Sequence, residues 1–460
     1  MERKYDVLIA GAGPAGATLA YLLSLKKSYK VAVFDSRSWD DLWGKPCGNA
    51  IGSHHFEELG IPSPRGDEIK QKVKGISIYS PSEKNVFTVY GEGFIIDRNR
   101  LGNRLLRDAL SNGVEFYPKT QVLRPILEDG KVAGLEVNSD AGKMLFRAGI
   151  TVDATGTAGV LKRSLPRNLP VAEQLDPKDS DVAFREIVEL DYEVPHKDII
   201  RIYLNQQIAP GGYWWFFPEG GNRANIGLGV QGGMGYPSPM GIYNSKLMLR
   251  PEISKRKRVI SSAGASVPTR RPIDSLVWNG FIVIGDAAFT VNPVHGGGMG
   301  YAMIAAYWAA QGIERAYESG DFSESGLWET NVGYMKMIGA KQASLELTRI
   351  FLQNLSDRDL EFIMEKKVVS EEDVDILGRK GELREGSIER ATRIVNDFIR
   401  ALKISSRPSL LLKLKALQTF MGKMKGVYLE YPGSPAGLSS WQFRVNELRR
   451  EFLSELGLTR

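Results

Sequence analysis

The chain has 460 residues, 43% of them hydrophobic and 25% charged, too long for one comfortable core and too apolar for disorder, so two or three packed domains are expected. Its single cysteine, Cys47, excludes an intrachain disulfide and an iron–sulfur cluster held by this chain's thiolates alone, so any redox centre must be organic. A net charge of +6 and a pI near 9.0 favour an anionic membrane surface or an acidic redox partner over nucleic acid, for which no recognised binding motif is present.

The first apolar stretch, Tyr5 to Gly11, runs into a glycine turn rather than a cleavage site, and no run of about 18 apolar residues follows anywhere, so a cytoplasmic protein is expected. Lys4 to Asp35 reads as a βαβ unit: a strand, the turn Gly11-Ala12-Gly13-Pro14-Ala15-Gly16, an alanine- and leucine-rich helix, and the strand Val31 to Asp35. Such a turn brings backbone N–H groups and a helix N-terminus to a pyrophosphate. Asp35, 19 residues beyond Gly16, is placed to accept from a ribose hydroxyl, so the unit is predicted to bind a dinucleotide.

Val73 to Val89 alternates like antiparallel strands, as does the region from about Val182 to Val230. Arg98-x-x-Leu101-x-x-x-Leu105 fits an amphipathic helix that opens on an arginine. Ile150 to Gly156 is a buried strand ending in a glycine turn. Within Val182 to Val230 lies Pro210-x-x-Tyr213-x-Trp215-x-Phe217-Pro218, then eight residues, then Gly227-Leu228-Gly229. Alternation points Tyr213, Trp215 and Phe217 to one strand face, which would serve equally to fill a core or to line a tunnel for a large, oily substrate.

A further strand, Gly280 to Gly285, delivers Asp286 toward a sugar hydroxyl, and the turn through Gly296, Gly297 and Gly298 opens a helix at Met299. Beyond a boundary near Gly320 the chain turns helical, with helices expected at Tyr334 to Asn354, Glu371 to Arg379 and Ser387 to Leu402. Leu410, Leu414, Leu417, Met421, Met424 and Tyr428 then keep helical spacing among lysines, a face for docking on the protein's own core or, alternatively, for touching an anionic membrane surface. No metal site is expected. Consecutive His54 and His55 should face different sides, His196 and His295 are isolated, and Lys45 reads as solvated surface charge.

Together, Gly11 to Gly16, Asp35, the Asp153-Ala154-Thr155-Gly156 turn and Gly285-Asp286 resemble the FAD-binding fold of the p-hydroxybenzoate hydroxylase type. The aromatic motif with its trailing Gly-x-Gly is similar to the signature of geranylgeranyl reductases, especially the archaeal members that saturate membrane-lipid isoprenoids, and the resemblance runs over the full length. It implies a Rossmann-like α/β FAD-binding domain in three parts (1–72, 90–165 and 273–320), an interleaved antiparallel-sheet substrate domain of α+β character (73–89 and 166–272) and a C-terminal helical region (321–460). It also implies a cofactor set of Gly11, Gly13, Ala15, Gly16, Asp35, Cys47, Gly48, Ala50, Arg98, Val122, Asp286, Gly298 and Met299. The substrate set is Tyr213, Trp215, Phe217, Pro218, Gly227 and Gly229.

In that family the loop Pro46-Cys47-Gly48-Asn49-Ala50 sits against the isoalloxazine ring. Here Asn49 stands where an acidic residue is commoner, so no carboxylate acid or base is assigned to that position. Reducing an isolated alkene needs a hydride and a proton, and Cys47, a neutral thiol beside the flavin, is the first candidate proton donor. The resemblance implies hydrogenation of the geranylgeranyl chains of digeranylgeranylglycerophospholipids or geranylgeranyl diphosphate, with ferredoxin or NADPH as electron donor and peripheral contact with the membrane. Two rivals share the fold: an aromatic monooxygenase, which would hydroxylate with oxygen, and a prenyl-lipid carrier, which would purify colourless.

Overall fold

The computed structural model describes residues 2–366 and 407–458. The expected helices at Glu371 to Arg379 and Ser387 to Leu402 lie outside them. Two eight-stranded sheets organise the chain. In the first, Glu2–Ala10 is central, with Val31–Phe34 parallel on one side and Gly142–Asp153 parallel on the other. Glu115–Tyr117 and Phe281–Val283 extend it in parallel, and Val277–Trp278 closes one edge. A hairpin, Gln121–Glu128 with Lys131–Ser139, branches from Gly142–Asp153.

Val7, Leu8, Ile9 and Ala10 are completely buried, as a parallel strand covered on both faces must be. Helix Pro14–Ser24 packs against helices Arg98–Ser111 and Met299–Ser319. Small residues, Ala15, Ala17 and Ala20 on one side and Ala302, Ala305, Ala306 and Ala309 on the other, are buried in this layer and allow close approach.

The second sheet runs in the order Arg256–Pro268, Ser180–Leu190, Arg223–Gln231, Tyr213–Pro218, Ile199–Tyr203, Ile69–Tyr79, Val86–Ile96, Ala50–Gly52. Every pairing is antiparallel except Ile199–Tyr203 with Ile69–Tyr79, which is parallel. The antiparallel expectation is corrected here to a mixed sheet, because period-2 alternation specifies which face a residue takes and not the direction of its neighbour. The sheet also takes chain on both sides of the expected 73–89 segment.

Alternation divides Tyr213–Pro218 cleanly. Trp214 and Phe216 enter a buried cluster with Tyr203, Leu228 and Tyr243, where Trp214 stacks on Tyr203 at 3.6 Å between ring centroids. Trp215 and Phe217 turn to the opposite face with Val73, Ile95 and Ile200.

The expected helix from Tyr334 is part of a longer one: Glu329–Tyr334 passes through a π turn, Met335–Gly339, into Ala340–Gln353. Helices Asp357–Glu365, Pro408–Leu429 and Leu438–Glu455 follow. Leu414, Met424, Tyr428, Trp441 and Phe452 bury into the cluster that holds Val7 and Leu8, so the core continues past Gly320. No described helix is long and apolar enough to cross a membrane.

Candidate active site

The glycine turn leaves the first strand with Gly11 at φ +100°, where a Cβ would stand 2.3 Å from the Ala154 carbonyl oxygen. A Cβ on Gly16 would stand 1.9 Å from the Gly11 carbonyl oxygen, whereas one on Gly13 would meet nothing within 4 Å. Two glycines therefore admit backbone, and the third faces open space at the N-terminus of helix Pro14–Ser24, beside buried Ala15. First-turn N–H groups there have no intrahelical acceptor. Asp35 accepts from the Ala12 N–H at 2.7 Å and the Arg37 N–H at 2.8 Å, which aims its carboxylate over the turn with lone pairs to spare. The Thr120 N–H donates to the Asp35 carbonyl at 2.8 Å, bringing Val122, buried and paired with Val137, to the same end of the sheet.

Asp286 opens the turn after Phe281–Val283, and Lys45 Nζ lies 2.5 Å from its Oδ2. Lys45 is thus not the solvated charge expected from its sequence, because a carboxylate 241 residues away folds onto it. Gly298 caps helix Met299–Ser319, and a Cβ there would lie 3.3 Å from Asp286 Oδ1. Arg98 begins helix Arg98–Ser111, whose Leu101 and Leu105 are buried, and donates through Nη1 to the Lys45 carbonyl. Its Nε is a buried donor without an acceptor among the described residues. Open space at a helix N-terminus, a ribose-ready carboxylate and an unsatisfied guanidinium N–H fit a dinucleotide cofactor.

The aromatic wall meets this cradle at two points. Tyr213 Oη donates to the His295 carbonyl at 2.6 Å, in the glycine-rich turn before Met299. A Cβ on Gly48 would lie 2.6 Å from the Phe217 ring, so the Cys47 loop presses directly on the wall, with Cys47 half-buried and Ala50 starting the strand that ends the second sheet. The Trp215 ring lies over Gly227, whose Cβ would be 2.4 Å from it, while a Cβ on Gly229 would meet nothing within 4 Å. Pro218 ends the wall strand opposite Ala224.

Tyr213 and Asp181 keep accessible surface although protein surrounds both. Ala183, Ile202 and Gly229 beside them are also partly exposed. Burial pushes the Asp181 carboxyl up to about 7 against the opposing pull of Arg349, and its Oδ1 has no hydrogen-bond partner among the described residues. Burial likewise raises the Tyr213 hydroxyl and lowers the Arg185 guanidinium, the latter opposed by Glu219 and Cys47.

Glu219, Asn225 and Asp181 carry no motif and were not among the residues singled out from the sequence. The histidine pair also differs from expectation: the His54 and His55 ring centroids lie 4.1 Å apart, since the helix His54–Glu58 only begins at His54. No cluster of three or more His, Cys, Asp or Glu able to hold a metal occurs among the described residues.

A family model described as the geranylgeranyl reductase catalytic domain matches residues 179–267, which contain the wall, both glycines and Asp181. Digeranylgeranylglycerophospholipid reductase of Sulfolobus acidocaldarius is 44% identical across 99% of this chain and 99% of its own length. That of Methanoculleus marisnigri is 28% identical over 91% and 99%. Among solved structures, a geranylgeranyl bacteriochlorophyll reductase-like protein from Thermoplasma acidophilum superposes with a TM-score of 0.74 at 25% identity, covering 88% of this chain and 99% of that one. A flavin-dependent brominase superposes at 0.66 with 18% identity, covering 86% and 99%, a likeness of fold alone. These relationships indicate a flavin cofactor.

Proposed function

The chain belongs to the digeranylgeranylglycerophospholipid reductase family, and from that premise we propose that it binds FAD and hydrogenates the C=C bonds of geranylgeranyl chains on archaeal membrane-lipid precursors. The observation that carries the reading is the junction just described: the apolar face of Tyr213, Trp215 and Phe217 abuts both the Cys47 loop and the glycine-rich turn of the nucleotide cradle.

Gly11, Gly13, Ala15 and Gly16 would hold the pyrophosphate. Asp35 would hold the adenosine ribose, with Val122 beside it, and Arg98, Asp286, Gly298 and Met299 would hold the flavin half. When bound, reduced flavin supplies the hydride. The protein's own residues orient the alkene, exclude water and keep a proton at hand. Orientation alone is worth roughly 7–11 kcal/mol of barrier, and each methylene buried along the wall adds about 0.8 kcal/mol of binding. An isolated alkene offers no carbonyl to stabilise a carbanion, so proton delivery must accompany hydride transfer; the Cys47 thiol, in the loop that touches the wall, would hold that proton.

The electron donor is a reduced ferredoxin or NADPH acting on the bound flavin. Helix Pro408–Leu429 docks its Leu410, Leu414, Leu417 and Met424 on the protein core, which leaves Leu412 and Leu429 exposed for peripheral contact with the lipid surface where the substrate resides. Anaerobically reduced holoenzyme mixed with a digeranylgeranyl phospholipid should yield products heavier by successive pairs of hydrogens. Unchanged lipid mass, or hydroxylation that appears only with oxygen, would overturn the reading.

A further inference from the structure

Two polar residues with no place in the aromatic signature stand at the junction of loop and wall. Asn225 is fully buried and Glu219 is 6% exposed. The Asn225 Nδ2 donates to the Cys47 carbonyl at 2.9 Å and to Glu219 Oε1 at 3.4 Å, while its Oδ1 accepts the Trp215 indole N–H at 3.1 Å. Both ends of the amide are thereby committed. Turning it over would set its oxygen against two acceptors and its NH₂ against a donor, so the bonds define one orientation. Glu219 Oε1 also accepts from Asn49 Nδ2 at 2.8 Å, and Oε2 pairs with Lys70 Nζ at 3.2 Å.

The loop they grip has little structure of its own. Asn49 sits at φ +64°, a left-handed conformation that asparagine enters more readily than other non-glycine residues and that its surroundings hold in place. The Asn49 carbonyl accepts the Ile96 N–H at 3.0 Å, and the Cys47 carbonyl is held by Asn225. A carboxylate at the end of the wall strand, 170 residues away, thus holds the Asn49 side chain.

We propose that Glu219 and Asn225 are positioning residues that hold the Cys47 loop and the Trp215 ring as one unit, setting the spacing between thiol and aromatic wall. Its catalytic meaning rests on the function proposed above; its geometry does not. Removing either residue frees the loop without removing any group that would touch the lipid.

Because Cys47 is the chain's only cysteine, alkylation by iodoacetamide reports on this loop alone. In the flavin-loaded protein, Asn225→Ala and Glu219→Ala should each speed alkylation by about tenfold, the scale of one well-made buried hydrogen bond, and shift the flavin absorption band. Glu219→Gln, which keeps a carbonyl for Asn49, and Lys70→Ala, which removes only the outer ion pair, should stay within about twofold of the parent rate. Leu414→Ala, in a helix remote from the loop, should lower Tm and leave alkylation unchanged.

Alkylation and spectrum unaltered in Asn225→Ala and Glu219→Ala, or altered as much in Leu414→Ala, would overturn the proposal. Should Asn225→Ala fail to fold, the Glu219→Ala and Glu219→Gln pair decides it by the same criterion. If instead the lipid reading is wrong, the alkylation pattern persists while the parent protein fails to saturate lipid.

Discussion

Cys47 and Asp181 both lie close enough to Tyr213 to act on its hydroxyl electrostatically, and they differ in kind. Cys47→Ala should reduce lipid turnover by on the order of 10²-fold with the rate of flavin reduction unchanged; full turnover would assign the proton to water. Asp181 offers a test by pH. Its carboxyl ordinarily titrates near 3.8 and is raised to about 7 in the folded chain, so between those values the folded state keeps a proton that the unfolded state releases. Stability therefore falls as pH rises from about 4 to about 7. Asp181→Asn should remove that part of the dependence, raising Tm at pH 8 relative to the parent and changing it little at pH 4. At this scale the sequence showed Cys47, Asp35 and Asp286, each beside a glycine turn or loop with its own signature. It concealed Glu219, Asn225 and the partner of Lys45, because those contacts join residues 170 to 241 positions apart and no local pattern encodes them.

Strand Tyr213–Pro218 is the element in which sequence and structure correspond most closely. Its alternation sends Trp214 and Phe216 to one core and Trp215 and Phe217 to the other face, as period 2 requires. The alternation leaves open whether the wall is packed or open; in the strand beside it Gly227 receives the Trp215 ring, whereas a Cβ on Gly229 would meet nothing within 4 Å. Gly229→Leu should fill that space without strain. Displacing two methylenes of an isoprenoid chain at about 0.8 kcal/mol each, it should raise KM for the long-chain lipid by roughly tenfold, measured with flavin content and Tm as controls. Gly11→Ala is the contrasting case. Its Cβ would collide with backbone at φ +100°, so it should lose flavin and stability together.

For the molecule as a whole, the C-terminal helices are tied to the second sheet by buried charge. Asp179, just before Ser180–Leu190, accepts from Arg349 Nη2 at 2.9 Å and lies 3.2 Å from Arg449 Nη2, so one carboxylate joins the sheet to helices Ala340–Gln353 and Leu438–Glu455. Glu346, 1% exposed, lies 3.7 Å from Arg449 and 3.9 Å from Arg271. Burial alone would raise the Asp179 carboxyl, but Arg349, Arg449 and Arg270 outweigh it and bring it down to about 2. Its contribution to stability is present above about pH 4 and is lost as pH falls toward 2. Arg349→Met, which leaves two buried carboxylates short of a partner, should cost about 3 kcal/mol in urea unfolding.

None of this clamp was legible in the charged, helical sequence after Gly320, although the helical spacing from Leu410 to Tyr428 did read as a face for docking on the protein's own core, where Leu410, Leu414, Leu417, Met424 and Tyr428 are buried. The central claim, that the face of Tyr213, Trp215 and Phe217 is the lipid passage, is tested most directly by a crystal structure of the flavin-bound protein with a digeranylgeranyl phospholipid. The tail should lie across Gly229 and the three rings with one alkene beside the Cys47 loop; a tail seated elsewhere, with the rings packed solid against protein, would contradict it.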